Sequence, residues 1–176
     1  QKLLVHSEFR DGNVNAGFDE LRVFKEALAQ LPKSVCHVFL RTDGAGYQED
    51  LMQYCAKGED PRFGVVPFAI SAKVTPSFKE SVKELPDAAW NMYHEVDERG
   101  HVFPTEHEWA EVGFVPNWVG HKKDNPEYRF IAIRERLHEP PNDLEALPFP
   151  TIEYHPVIYK LFSVVTNRFD LSGEEL

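Results

Sequence analysis

The chain has 176 residues, 42% of them hydrophobic and 12% aromatic, and a formal net charge of −10 at pH 7. The length suits a single domain, and the apolar content excludes a disordered chain. No stretch approaches the roughly 20 apolar residues of a membrane helix, and the N-terminus lacks the long apolar segment of a secretory signal, so we expect no membrane partner.

The first half of the sequence predicts alternating strands and helices. Apolar residues recur at helical spacing in three segments, and shorter apolar runs between turn residues indicate strands. The run Val35–Leu40 is continuously apolar, which predicts a strand buried on both faces inside a mixed sheet. In chain order, the predicted elements are strand 3–9, helix 18–31, strand 35–40, a helix from about Tyr47, strand 67–72, and a helix capped by Thr75 and ended by Pro86.

The pattern changes from helical to β-like after Pro86. Residues 92–96 and 101–103 flank Asp97-Glu98-Arg99-Gly100, a sequence typical of a hairpin turn. Further short strands are expected at 112–115, 118–121, 128–134 and 159–165, and the proline-rich stretch 137–156 is interpreted as a surface connection. Helix-start residues at 172–176, together with the abrupt apolar N-terminus, lead us to expect a piece of a longer protein.

Asp43 is the residue with the clearest chemical potential. It follows the predicted strand 35–40 and precedes Gly44-Ala45-Gly46, which allow a sharp turn. In open α/β sheets, ligands gather beyond the carboxyl ends of strands, and a carboxylate held there can bind a divalent cation. An aspartate before a glycine turn can also be only a turn-former, so this alternative stays open.

The segment Leu40-Arg41-Thr42-Asp43-Gly44-Ala45-Gly46-Tyr47 resembles the second-aspartate motif of bacterial DDE transposases of the insertion-sequence 4/1380 type. Residues 8–17 resemble the family segment before that aspartate. Residues 163–168, followed by 172–176, resemble the approach to the helix that bears the catalytic glutamate. The resemblance covers nearly the whole chain in the family's order.

This resemblance implies an RNase H-like fold, with a mixed sheet flanked by helices and a β-rich insertion subdomain. It divides the chain into a core part at 1–86, an insertion at 87–158, and a return strand with a helix start at 159–176. It implies Mg²⁺-dependent DNA cleavage and strand transfer by a two-metal site, with Asp43 as catalytic and metal-binding residue. The other two acids would lie outside the chain, so we expect the isolated fragment to be inactive. Glu174 and Glu175 are not assigned as the third acid.

The resemblance also implies partners and a location. The full-length protein would bind transposon ends and target DNA, form a homodimer, and reside in the bacterial cytoplasm near the nucleoid. The candidate DNA contacts are Trp90, Trp109 and Trp118, which could stack on a base, and Lys73 and Arg168, which could touch phosphates. Each tryptophan can instead pack the core, and Lys73 and Arg168 can be ordinary exposed charges.

Three further observations bear on function. The acidic charge counts against a basic DNA-binding surface, although flanking segments could supply the affinity. The alternatives are therefore an RNase H-like nuclease that cuts without joining, and a non-enzymatic α/β binding domain in which Asp43 is structural.

The residues His101, Glu106, His107 and Glu108 form a weak zinc pattern. Cys36 and Cys55 lack a Cys-x-x-Cys spacing and are expected to be inert thiols in apolar surroundings.

Overall fold

The computed structural model describes residues 4–9, 11–15, 17–119, 125–139, 144, 147–154 and 156–176. The described residues form two short 3-10 turns, at Gly44–Gly46 and Asp87–Ala89. The helices and strands, in chain order, are α1 (Glu20–Gln30), β1 (Leu40–Thr42), α2 (Glu49–Lys57), β2 (Phe68–Ser71), α3 (Pro76–Lys83), β3 (Asn91–Val96), β4 (Val102–Val112), β5 (Arg129–Arg136), β6 (Thr151–Tyr154) and β7 (Val157–Thr166).

The seven strands form one curled, mixed sheet. Its order is β1-β2-β7-β5-β4-β3, and β6 pairs with the first part of β7. Strands β1 and β2 are parallel, whereas the other pairs are antiparallel. The expectation of an α/β chain with a mixed sheet is therefore confirmed.

Local sequence explains where the helices α2 and α3 begin and end. The hydroxyl of Thr75 accepts a hydrogen bond from the Phe78 amide at 3.2 Å, with proline at the first helical position, as predicted. Glu49 and Asp50 lie in the first turn of α2, where carboxylates favour the helix dipole. Gly58 closes α2 in the left-handed conformation (φ 71°), which glycine adopts without strain.

The core lies between one face of the sheet and the helices. Its largest fully buried side chains include Phe68 of β2, Phe78 of α3, Phe130 of β5 and Met52 of α2. Phe114 meets Phe78 and Phe130 edge-on, with ring centroids 5.3 and 5.0 Å apart. Such edge-to-face contacts stabilise aromatic pairs beyond their burial.

The predicted interior strand at Val35–Leu40 is wrong. Strand β1 spans only Leu40–Thr42, and it lies at the end of the sheet order in the part of the chain that the structure describes. Phe39 is 46% exposed, and His37 is exposed as well. Residues 35–39 have no regular structure and lie outside the sheet, and β1 itself pairs with β2 over only three residues.

Other predictions require smaller corrections. Residues 4–9 have no regular structure, residues 117–119 form a turn while 120 and 121 lie outside the described residues, and the connection 137–156 contains β6. Residues 173–175 form a turn rather than a helix. Cys36 is exposed rather than enclosed by apolar neighbours, whereas Cys55 is buried, and burial raises the pKa of its thiol to about 12.

The segment 87–158 is mostly β where it is described. Its strands β3, β4 and β5 do not form a separate layer: they extend the sheet that contains β1 and β2, through the pairing of β5 with β7. None of the described helices has the length and apolar character needed to span a bilayer.

Candidate functional site

Asp43 begins a tight turn directly after β1. Its Oδ1 accepts a hydrogen bond from the Ala45 amide at 3.0 Å, and its carbonyl accepts one from the Gly46 amide at 3.1 Å. Gly46 packs so closely on Thr42 that a Cβ there would lie 2.8 Å from Thr42 Oγ1. This contact requires glycine at position 46, which explains part of the Gly-Ala-Gly motif.

The parallel pairing of β1 with β2 brings two strand ends to one edge of the sheet. Thr42 pairs with Ile70. The next residues along the chain are Asp43, just after β1, and Ser71, the last residue of β2. A Cβ added to Gly44 would lie 3.9 Å from the Ser71 carbonyl oxygen. Asp43 is exposed at this edge, and Lys73, also exposed, follows two residues beyond Ser71. The predicted position of Asp43 at a strand's carboxyl end is confirmed.

The carboxylate of Asp43 has the oxygen ligands that a hard divalent cation prefers. Oδ1 is engaged by Ala45, while Oδ2 has no hydrogen-bond partner among the described residues. Mg²⁺ prefers such oxygen ligands and keeps several waters, so one exposed carboxylate can provide part of its coordination. The described residues contain no group of three or more histidine, cysteine, aspartate or glutamate side chains that could hold a metal. Among the described residues, the Asp43 carboxylate therefore does not belong to a complete metal site.

A groove of about 400 Å³ crosses the sheet near this edge. Its floor includes alternate residues of the central strands: Ile131, Ile133, Phe162 and Val164. Arg41 and Ser71 line the end nearest Asp43, and Trp109 lies further along it. Gly173, Glu174 and Leu176 also line the groove, so the C-terminal segment covers part of this face.

The C-terminal segment is tied to the sheet by several contacts. Arg129 donates to the carbonyl oxygens of Arg168, at 3.0 Å, and Leu171. A single oxygen of Glu174 accepts from the His94 amide at 2.9 Å and lies 3.0 Å from His94 Nδ1. Ser172 and Glu175 form a capping box: Glu175 Oε2 accepts from the Ser172 amide at 2.8 Å, and Ser172 Oγ accepts from the Glu175 amide at 3.3 Å.

The three tryptophans lie in different environments. Trp90 is 9% exposed and its ring stacks on the Arg134 guanidinium, 4.0 Å from the ring centroid, so it has no free face for a base. Trp118 is half-buried against Tyr128, with ring centroids 5.7 Å apart. Trp109 lines the groove, is partly exposed, and contacts Gly173. Among the three, Trp109 is the one that borders an open groove.

The two candidate phosphate contacts also differ. Lys73 is exposed at the edge that carries Asp43. Arg168 is paired with Asp170 through two hydrogen bonds of 2.6 and 2.7 Å, which lower the pKa of the Asp170 carboxyl to about 2. A phosphate at Arg168 would therefore compete with a carboxylate already in place.

The weak zinc pattern is not assembled in the structure. His101 pairs with Asp97 at 3.1 Å, His107 lies 3.6 Å from Glu135, and Glu106 pairs with His138 at 3.2 Å. Each histidine of the pattern thus has a different carboxylate neighbour, and this distribution agrees with the lack of a metal-binding group among the described residues.

Sequence reasoning missed Gln48 at the Asp43 turn. Its side-chain amide donates to the carbonyl oxygens of Ala45, at 2.9 Å, and Gly17. Its place directly after the motif Asp43–Tyr47 was the available signal, but a glutamine at that place has no chemical signature of its own.

The comparisons with known proteins add no assignment, because neither the family models nor the curated proteins give a match to this chain.

Proposed function

We propose that this chain is part of the catalytic domain of a DDE transposase, a protein that cleaves DNA and joins the cut end to a new site. The observation that carries the proposal is the position of Asp43. It lies at the carboxyl end of β1, in the one parallel strand pair among the described strands, and its Oδ2 has no hydrogen-bond donor among the described residues. That is where α/β sheets present groups to ligands.

Several sequence features support the same proposal. The motif around Asp43, the segment 8–17 before it and the segment 163–176 after β7 occur in the order found in that family. The part between them is rich in β-strands, although these strands extend the core sheet, and Ser172 and Glu175 form a capping box at a turn. The RNase H-like arrangement, the DNA partners and the homodimer belong to this proposal.

In the proposed protein, Asp43 provides one carboxylate ligand of a two-Mg²⁺ site whose other two acids lie outside these 176 residues. Bound Mg²⁺ would supply charge stabilisation for phosphoryl transfer. The chain's own contribution is to fix the carboxylate: β1 sets the backbone, the Ala45 amide holds Oδ1, and the Thr42–Gly46 contact keeps the turn tight. An acid fixed in this way loses little freedom when it binds a cation.

One observation favours the second candidate, a binding domain without catalytic activity. The bond from the Ala45 amide to Asp43 caps the 3-10 turn, which is a structural role by itself. A nuclease that cuts without joining is a third candidate, and a strand-transfer assay distinguishes it from a transposase.

The test uses Asp43→Asn in the full-length protein, measured by thermal midpoint and by Mg²⁺-dependent cleavage and joining of a transposon-end duplex. Asparagine keeps the oxygen that accepts from Ala45 but loses the charge that holds metal. We expect cleavage and joining to be lost while binding to DNA ends, which depends on phosphate contacts elsewhere, and folding persist.

The matched control is Asp97→Asn. Asp97 also accepts backbone amides in an exposed turn, from Arg99 and His101 at 2.8 Å each, and its other oxygen lies 3.1 Å from His101 Nδ1, so the control removes the same charge from a different turn. Normal cleavage by Asp43→Asn with a lowered midpoint would reject the catalytic role and support the binding-domain candidate.

A further inference from the structure

Strand β3 lies at the opposite end of the sheet order from β1, and it pairs with β4 alone among the described strands. Five of its six residues are exposed, and Tyr93 is half-buried. One side of its backbone therefore faces away from the described sheet. An exposed edge of this kind is a template on which a further strand can pair.

The ladder with β4 identifies the backbone groups that face outward. The Asp97 amide donates to the His101 carbonyl oxygen at 3.0 Å, which makes these two residues a hydrogen-bonded pair. Hydrogen-bonded and non-hydrogen-bonded pairs alternate along an antiparallel ladder, and the register between residues 94 and 97 is regular. Glu95 therefore directs its backbone groups to β4, whereas His94 and Val96 direct theirs outward.

One of these outward groups already holds an acceptor from outside the ladder. The His94 amide donates to Glu174 Oε1 at 2.9 Å, and the same oxygen lies 3.0 Å from His94 Nδ1. A carbonyl oxygen of a neighbouring strand would accept from this amide in the same way. Val96, two residues further along, is 65% exposed. Glu174 thus covers the first outward amide of this edge and leaves the following part open.

The two faces along this edge differ in chemistry. Glu95 and Glu174 line the groove across the sheet and, with Glu175, a second open groove of about 630 Å³ along β3. Side chains alternate along a strand, so Val96 points to the other face, where it pairs with the equally exposed Val102. A strand that pairs with β3 therefore meets carboxylates on one face and exposed valines on the other.

A second copy of this chain fits the edge poorly. An antiparallel self-pair centred on His94 brings two Glu174 carboxylates together, and one centred on Glu95 sets two Glu95 side chains opposite each other. A self-pair centred on Val96 sets Glu95 opposite Asp97 of the other copy. Like charges directly opposite are destabilising, and each chain has a formal charge of −10. The charges favour a basic partner instead.

We propose that the outer edge of β3 is a docking site for an extended segment of another protein that has lysine or arginine at alternate positions and apolar residues between them. The segment adds to the sheet as a strand, and its carbonyl oxygen replaces Glu174 at the His94 amide. Its basic side chains face Glu95, and its apolar side chains face Val96. This inference does not depend on the proposed role of Asp43.

The experiment uses the full-length protein and fluorescein-labelled peptides, with binding measured by fluorescence anisotropy. The probe is Lys-Val-Lys-Val-Lys-Val-Lys. Lys-Pro-Lys-Pro-Lys-Pro-Lys keeps its charge but lacks the amides and the β conformation needed for pairing, and Glu-Val-Glu-Val-Glu-Val-Glu keeps the pairing but reverses the charge. We expect both control peptides to bind roughly tenfold more weakly than the probe, or not at all.

A variant and hydrogen exchange locate the bound peptide. Glu95→Gln removes one carboxylate of the edge and leaves the contact between His94 and Glu174 in place. We expect it to weaken binding of the probe roughly threefold. Glu84→Gln, an exposed acid at the end of α3, is the matched control and should bind the probe normally. Amide exchange in 91–96 should slow when the probe is bound, and exchange in 40–42, at the other end of the sheet, should not.

Slowed exchange in 91–96, together with weaker binding of both control peptides and of Glu95→Gln, supports the proposal. Equal affinity for the lysine–valine and lysine–proline peptides would reject it, because general attraction between charges then explains the binding. Absence of binding to the probe, or slowed exchange only outside 91–96, would also reject it. Exchange in 91–96 that slows with rising protein concentration and no peptide would assign the edge to a second copy and overturn the proposal.

Discussion

Gly173 lies directly on the indole ring of Trp109, so closely that a methyl group on Gly173 would come within 2.7 Å of Trp109 Cδ2. A real side chain cannot occupy that space without moving the ring or the backbone. The contact places the C-terminal segment against the groove face of the sheet, and it joins residues that are 64 positions apart in the sequence.

Replacing Gly173 by alanine should loosen the C-terminal segment. The added methyl group overpacks the contact, which costs about 1–3 kcal/mol, and the ring of Trp109 should become more exposed. We expect a lowered thermal midpoint and a red shift of tryptophan fluorescence. Gly113→Ala is the control, since a Cβ there meets nothing within 4 Å. Equal midpoints for the two variants would show that residues 172–176 are not packed on Trp109.

Gly46→Ala should disturb the Asp43 turn for a similar reason. The new Cβ would lie 2.8 Å from Thr42 Oγ1 and 3.0 Å from Thr42 Cβ, so strand end and turn would separate. We expect a loss of about 1–3 kcal/mol in the free energy of unfolding, with partial recovery in the double variant Gly46→Ala/Thr42→Gly, which frees the space. Urea unfolding measures both. Additive losses in the double variant would contradict the contact.

Arg134 is a buried cation that rests between aromatic rings. Its side chain is 8% exposed, its guanidinium lies 4.0 Å from the Trp90 ring centroid and 4.6 Å from that of Tyr159, and Nε donates to Glu108 at 2.7 Å. Removing the partner leaves a buried charge uncompensated, whereas removing the charge itself does not. We therefore expect Glu108→Gln to lower the unfolding free energy by about 2 kcal/mol, more than Arg134→Met does.

Urea unfolding curves of Glu108→Gln and Arg134→Met test this order. Arg136→Met, two residues along the same strand and exposed, serves as the control and should change stability by less than about 0.5 kcal/mol. If Arg134→Met proves more costly than Glu108→Gln, then the contact with the rings outweighs the ion pair.

Asp60 should make stability depend on acid pH. Burial raises the pKa of this carboxyl, but hydrogen bonds from the Phe63 and Arg62 amides and the Tyr54 hydroxyl outweigh it, so the pKa is lowered from its ordinary value of 3.8. The native state thus favours the ionised form. Its stabilising contribution is complete above the unfolded-state pKa and is lost as the pH falls through the folded-state value.

Asp60→Asn should therefore be less stable than the original chain at neutral pH, and the difference should shrink below pH 3.8. Thermal midpoints from neutral to acid pH measure this convergence. Asp87→Asn, an exposed aspartate in a 3-10 turn, is the charge-matched control. A difference between Asp60→Asn and the original chain that stays constant down to acid pH would mean that the carboxyl of Asp60 is not favoured in its ionised form.

The isolated 176-residue chain should not cleave DNA in Mg²⁺. Asp43 is one carboxylate, and the described residues assemble no larger group of metal ligands around it. A single carboxylate holds Mg²⁺ weakly because Mg²⁺ gives up its waters reluctantly. The measurement is cleavage of a labelled duplex by the purified chain, with and without Mg²⁺. Robust Mg²⁺-dependent cleavage would place the active site elsewhere in the chain.

The sequence by itself determined the features that depend on neighbouring residues. Thr75-Pro76 predicted the start of α3, and Asp97–Gly100 predicted the hairpin between β3 and β4, where Gly100 adopts a φ of 83°. The turn after Asp43 followed in the same way from its glycines, although the strand before it is Leu40–Thr42 and not the predicted run Val35–Leu40. Caps and tight turns are set by a few adjacent side chains and backbone angles, so a local pattern contains enough information to predict them.

Only the tertiary structure decided which strands become neighbours. Strand β7 pairs with β2 on one side and β5 on the other, and Thr166 donates to the carbonyl oxygen of Phe68 across 98 residues of sequence. These pairings placed β1 at the end of the sheet among the described strands, buried Trp90 against Arg134, and left Trp109 beside a groove. An apolar run or a tryptophan has the same neighbouring residues in the sequence whether it is buried or exposed. Its burial depends on contacts with segments that are distant in the chain, and the sequence pattern of one segment does not show those contacts.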